Sequence, residues 1–150
     1  MTLDKNGTTI QAGDIVEIKG AFFKNDNGFW YVEQDGTNPA CLGEGLTLFK
    51  IGKTGKISTA KYNIAFWPLM TFVSDNRKSA AADKWNAEHA TIEITNKVSN
   101  VQVIENFREL VAGYEAKAKC YEMRGYGEEW TKPNADSAAY YSRALERMGA

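Results

Sequence analysis

Apolar and polar positions alternate in short runs through the first half of the chain and recur at three- and four-residue steps through its last third. After Ala12-Gly13-Asp14, the run IVEIKG sets Ile15 out of phase with Val16 and Ile18, which predicts a short strand with one strongly apolar face. KNDNG, Lys24 to Gly28, predicts a turn, because Asn, Asp and Gly tolerate the left-handed backbone of a reversal. FWYVE (Phe29 to Glu33) and LTLFKI predict a second and a third strand, and KIS starts a fourth beyond GKTG. NIAFWPLMTFV, Asn63 to Val73, is apolar and β-prone, with Pro68 marking a bend, a bulge or an edge.

The period then changes. Ser74-Asp75 caps a predicted helix through NRKSAAADKWNAEH, and ATIEIT predicts one more strand. Val103, Ile104, Phe107, Leu110, Val111, Tyr114, Ala118 and Tyr121 mark a long amphipathic helix, with Ser99 or Asn100 at its start and Gly125 at its end. RGYGEEWTKPNAD predicts a loop, and DSAAYYSRALERM a short last helix carrying Tyr141, Leu145 and Met148. The order predicts an α+β fold. A small β-barrel or curled antiparallel sheet, residues 1–98 with an inserted helix at about 75–89, precedes a helical extension, 99–150. The long helix is expected to lay its stripe on the sheet, making a single unit.

Composition sharpens this picture only in places. The 150 residues are 43% hydrophobic and 25% charged, which is globular rather than disordered composition. A net charge of −1 argues against a chain that binds nucleic acid by overall charge. The polar N-terminus has no apolar run of signal-peptide length, and no stretch approaches a membrane span. Cys41 and Cys120 lack the spacing of a zinc site or disulfide framework. A soluble cytoplasmic protein with two free thiols, no metal and no cofactor is expected.

Gly52-Lys53-Thr54 matches the end of a nucleotide-binding Walker loop. That loop needs a glycine five positions before Gly52, where this chain has Thr47, and a helix afterwards, where it has Gly-Lys-Ile-Ser-Thr. A glycine-flanked hairpin turn fits better. Between Leu46 and Ser74 no Asp or Glu occurs, while Lys50, Lys53, Lys56 and Lys61 fall inside with Tyr62, Phe66, Trp67 and Phe72. Lysines beside exposed rings are what single-stranded nucleic acid uses. The plainer alternative puts the rings in the core and leaves the lysines to keep a hairpin soluble. The absence of arginine from the first half weakens bidentate phosphate or base recognition there.

AGDIVEIKGAFFKNDNGFWYVEQDG resembles the opening of an SH3-like barrel of KOW type, through Gly13-Asp14, Val16, Ile18, Gly20, Phe22, Gly28 and Val32. The polar turn KNDNG is longer than is usual there. The resemblance implies an SH3-like barrel, RNA or protein contacts and no catalysis. The run KIGKTGKISTAKYNIAFWPLMTFVSD, with KWNAEHATIEI, is similar to small proteins of phages and mobile elements in Gram-positive gut bacteria, which commonly bind nucleic acid, a host protein or a defence complex.

Catalysis has little to work with. His89 is the one histidine, and a Cys41–His89 pair lacks a helix N-terminus around NPACLGEG to activate the thiol. Glu88 with His89 has no second histidine or paired cysteine to complete a metal site. His89 reads as a helix C-cap, and Glu128-Glu129 as solvated loop charges. The expectation is a non-catalytic binding protein of phage or mobile-element type. Its sheet surface carrying Lys50, Lys53, Lys56 and Lys61, with Trp30, Tyr31 or Trp67 partly exposed, contacts a host protein or defence complex. The alternatives are an RNA or single-stranded DNA binding module, and a protein self-associating through Tyr140 or Tyr141.

Overall fold

A computed structural model describes residues 3–34, 46–53, 55–64 and 80–149, with 58–64, 80, 82 and 83 described by backbone alone. Trp67 and Cys41 lie outside the described residues. The chain divides into two compact units, Met1–Ser99 and Asn100–Ala150.

The first unit is a five-stranded antiparallel sheet with one helix. Its strands are β1 (Ile15–Lys19), β2 (Gly28–Gln34), β3 (Leu46–Ile51), β4 (Ile57–Ile64) and β5 (Thr91–Ile94), in the order β4-β3-β2-β1-β5. The helix α1 (Ala80–His89) leads into β5. The fold is therefore α+β. Among the described residues β4 and β5 end the sheet and do not meet, so it is an open sheet and not a closed barrel.

Two-residue periodicity builds the core. Val16, Ile18, Trp30, Val32, Leu46, Leu48 and Ile92 share one face with Ile10 and form a continuous buried cluster. The opposite face of the same strands is also buried: Ile15, Tyr31, Phe49 and Ile51, together with Glu33 and Thr47. Tyr31 donates its hydroxyl to Glu33 Oε2 at 3.0 Å, and the backbone N–H of Gln34 reaches Glu33 Oε1 at 2.7 Å. These bonds answer the requirement that a carboxylate taken out of water keep partners. The expectation that Trp30 or Tyr31 is partly exposed is thus overturned. Trp30 is 1% exposed and Tyr31 0%, because β2 pairs with β1 and β3 along both edges and is covered on both faces.

Gly52 to Lys56 is a hairpin turn. Gly52 N–H donates to Lys56 O at 2.8 Å, Gly55 N–H to Gly52 O at 3.0 Å, and Ile51 faces Ile57 across the strands. Gly55 takes φ +83°, the left-handed residue that closes a three-residue hairpin loop. Lys53 starts no helix here, so the Walker reading fails on structure as well as on spacing. At Gly13-Asp14 the aspartate side chain closes the turn, its Oδ2 accepting from Gln11 N–H at 2.8 Å.

The second unit is a pair of helices, α2 (Val101–Met123) and α3 (Glu128–Arg147). Asn100 caps α2 by position but makes no side-chain cap bond. At the other end, Gly125 N–H donates to Glu122 O and Tyr126 N–H to Tyr121 O, both at 3.0 Å, with Gly125 at φ +77°. That is the Schellman closure expected of the glycine.

The expected loop over Glu128 to Asp136 is instead the first half of α3, in spite of Pro133. Glu128 and Glu129 complement the helix dipole in its first turn. Asn134 Nδ2 donates to Trp130 O at 2.9 Å, and Trp130 packs on Tyr121 and Tyr126. Tertiary contact outweighs the proline's missing N–H. The expectation that Tyr140 or Tyr141 stays available is also corrected. Both are buried, with Tyr141 packed against Phe107, Tyr114 and Tyr140. No helix among the described residues is long and apolar enough to cross a membrane.

Candidate functional site

The sheet register decides which loops meet. Ile18 faces Gly28, Phe29 faces Ile51, Ile51 faces Ile57, and Lys19 faces Thr91. These pairs form one row at one end of the sheet. The loop 20–27, the turn 52–56 and the α1–β5 connection all leave from it. Adjacent strands lie about 4.8 Å apart, so the lysine turn and the 20–27 loop are separated by roughly 10–15 Å.

The 20–27 loop carries two rings, a half-buried Phe23 and an exposed Phe22. Phe22 is 45% exposed and packs edge-on against Phe23, with ring centroids 5.1 Å apart. Its backbone N–H donates to Oδ1 of the buried Asn86 at 2.9 Å, fixing the loop to α1. From α1, Trp85 donates its indole N–H to Gly20 O at 3.0 Å and remains 45% exposed. His89 lies against one side of that indole, with centroids 4.1 Å apart, and its Nε2 is 3.8 Å from Glu88.

Gly20 explains the close fit. It takes φ +73°, and a Cβ there would come within 2.5 Å of the His89 carbonyl oxygen. The loop and the end of α1 touch because this residue is glycine.

Lys50 is not the free cation the sequence suggests. Its ammonium donates to the carbonyls of Asn25, at 2.6 Å, and Asn27, and lies 4.8 Å from the centroid of the Trp30 ring. Burial holds its pKa below the ordinary lysine value, against the opposing pull of Asp26. Lys50 therefore ties β3 to the 3-10 turn Lys24–Asp26. Lys53 and Lys56 are exposed. Lys61 sits in β4 opposite Phe49, and its side chain lies outside the described atoms.

At this end Lys19, Lys24, Lys53 and Lys56 are exposed, and on α1 Lys84 and Glu88 are exposed beside Trp85 and His89. Of the expected lysines, Lys53 and Lys56 are exposed at the same sheet end as Phe22 and Trp85, while Lys50 lies over the buried Trp30. The chain matches no protein-family model, and no curated protein or solved structure matches it either.

Both rings left a signal in the sequence. GAFFKNDNG puts two phenylalanines inside a turn, where no strand face can take both. Trp85 is the one large apolar residue in the otherwise polar or small AAADKWNAEH. A second exposed ring cluster caps the α2–α3 connection, where Tyr121, Tyr126 and Trp130 are mutually in contact at 5.4–5.8 Å. Reading that stretch as a loop hid it. Among the described residues no group of three or more His, Cys, Asp or Glu could hold a metal ion.

Proposed function

We propose that the chain is a non-catalytic binding protein of the phage or mobile-element type, acting in the cytoplasm on a host protein or defence complex. Its contact surface is the sheet end formed by Phe22, Trp85, Lys24, Lys53 and Lys56. One observation carries this reading: Phe22 and Trp85 are half exposed yet tied down through Asn86 and Gly20. Aromatic anchors fixed before binding lose little freedom on association, and such residues dominate interface energetics. The lysines around them suit an acidic rim on the partner and speed encounter with it. The resemblance to KOW-type barrels points the same way.

A second reading, single-stranded nucleic acid, is favoured by those lysines lying at the same sheet end as the exposed rings. Affinity capture from host lysate, run beside an anisotropy titration of labelled single-stranded RNA and DNA at low salt, separates the two. The protein reading expects one captured species that Phe22→Ala with Trp85→Ala abolishes. The nucleic-acid reading expects tight, steeply salt-dependent binding that Lys53→Glu with Lys56→Glu abolishes. Neither signal from folded protein would refute both.

A further inference from the structure

The N-terminal turn, Leu3 to Thr9, does something the binding surface does not require. It covers the outer edge of β5. Thr95 N–H donates to Ile15 O at 2.8 Å, so by strand alternation Glu93 and Thr95 turn their backbone groups toward β1. Ile92 and Ile94 turn theirs outward. There, Ile92 O accepts from Lys5 N–H at 2.8 Å, and Ile94 N–H donates to Asp4 Oδ2 at 3.1 Å. A side-chain carboxylate thus stands where a neighbouring strand's carbonyl would.

The turn is built to present that carboxylate. Asp4 Oδ1 accepts from the N–H groups of Asn6 and Thr8, both at 2.9 Å, and Asp4 N–H donates to Thr8 O at 2.8 Å. Leu3 bridges Thr9, and Lys5 pairs with Glu93 at 2.6 Å. Edge strands are where sheets join to one another unless something blocks them. Here two hydrogen bonds to the β5 backbone, one from the Lys5 N–H and one to the Asp4 carboxylate, and one ion pair do the blocking.

We infer that the Leu3–Thr9 turn is a displaceable cover, and that a β5 edge released from it pairs with β5 of a second copy. The second copy is the favoured occupant because the strand is self-complementary about Glu93. In an antiparallel two-fold pairing, Ile92 of one copy faces Ile94 of the other, and each offers the N–H and C=O the other lacks. The like charges of Glu93 and its symmetry mate oppose that pairing while both are ionised.

Protonation of Asp4 and Glu93 removes the cover's acceptor and the repulsion together. The charged groups around this pair are Lys5 from the turn, Glu17 and Lys19 from β1, and Lys97 beyond β5. The bond from Lys5 draws the Glu93 pKa below the ordinary carboxylate value, and Lys97 and Lys19 pull the same way.

The test is sedimentation of the full chain at neutral pH, over a concentration series, beside the wild type. Asp4→Ala with Glu93→Gln uncovers the edge and neutralises its centre. Asp4→Asn with Glu93→Gln is the gentler form: the amide oxygen keeps accepting from Asn6 and Thr8, the Ile94 bond and the Lys5–Glu93 ion pair are lost, and the Lys5–Ile92 backbone bond is left for the second copy to displace. The expected result for a variant with wild-type circular dichroism is a concentration-dependent doubling of mass relative to the wild type. Adding Ile94→Pro, which removes an N–H facing away from β1, should restore the wild-type mass. Folded variants that keep the wild-type mass throughout, or a doubling that survives Ile94→Pro, would overturn the inference.

Discussion

The indole of Trp85 and the carbonyl of Gly20 are joined by a 3.0 Å hydrogen bond, and the backbone on which Gly20 sits admits no side chain. This pair fixes the orientation of an exposed ring by a contact to backbone. Gly20→Ala should therefore act at once on stability and on the surface. The new Cβ meets the His89 carbonyl oxygen at 2.5 Å in a left-handed conformation, a loss of about 2–4 kcal/mol. Urea unfolding measures it. A change below about 0.5 kcal/mol, the size expected of an ordinary surface substitution, would show that loop and helix are not packed this way.

Asn86 and Phe22 separate anchoring from contact. Asn86→Ala strips the acceptor from Phe22 N–H and should cost about 1–3 kcal/mol. Phe22→Ala removes a half-exposed ring and should leave the unfolding midpoint nearly unchanged while weakening partner capture. Equal stability losses in the two variants would mean that Phe22 is part of the core.

The lysines divide in the same manner. Lys50→Met removes the donor shared by the Asn25 and Asn27 carbonyls and the charge beside Trp30, a loss of about 1–2 kcal/mol. Lys53→Glu and Lys56→Glu lie on an exposed turn and should shift stability by less than about 0.5 kcal/mol. Their effect belongs to binding, and the salt dependence of binding reads it.

Acid should destabilise the first unit through Asp4. Burial by itself would raise its pKa. The N–H groups of Thr8, Ile94 and Asn6, together with Lys5, outweigh that and hold it below the ordinary 3.8. A carboxylate depressed in the folded state contributes stability that is full above its unfolded pKa and disappears as pH falls through the folded one. Urea unfolding at pH 7 and at pH 3 should show Asp4→Asn clearly less stable than wild type at pH 7. The gap should narrow at pH 3. A gap independent of pH would mean the carboxylate's charge contributes nothing.

How far the sequence could be read depended on whether local pattern or distant contact decides each element. Ile15, Val16 and Ile18 announce β1 and its apolar face, and Gly125 announces the end of α2. Those signals are local. Trp30 and Tyr31 misled because alternation tells which face a ring takes and not whether that face is covered. Strand β2 is covered on both sides. The stretch from Glu128 to Asp136 misled because Pro133 and a glycine-rich approach suggest a loop, whereas Trp130 closing on Tyr121 and Tyr126 holds the helix. Phe22 and Trp85 are 63 residues apart, and the pairing of β1 with β5 together with the Asn86 and Gly20 bonds brings their segments to one end of the sheet, which no local pattern announces.

Amide hydrogen exchange of the full chain, free and in complex with the species it captures from host lysate, tests the central claim most directly. Slower exchange on binding is expected within residues 20–27, 52–56 and 85–90, the three segments at that sheet end. Protection absent there and confined to the α2–α3 connection around Tyr126 and Trp130 would contradict it.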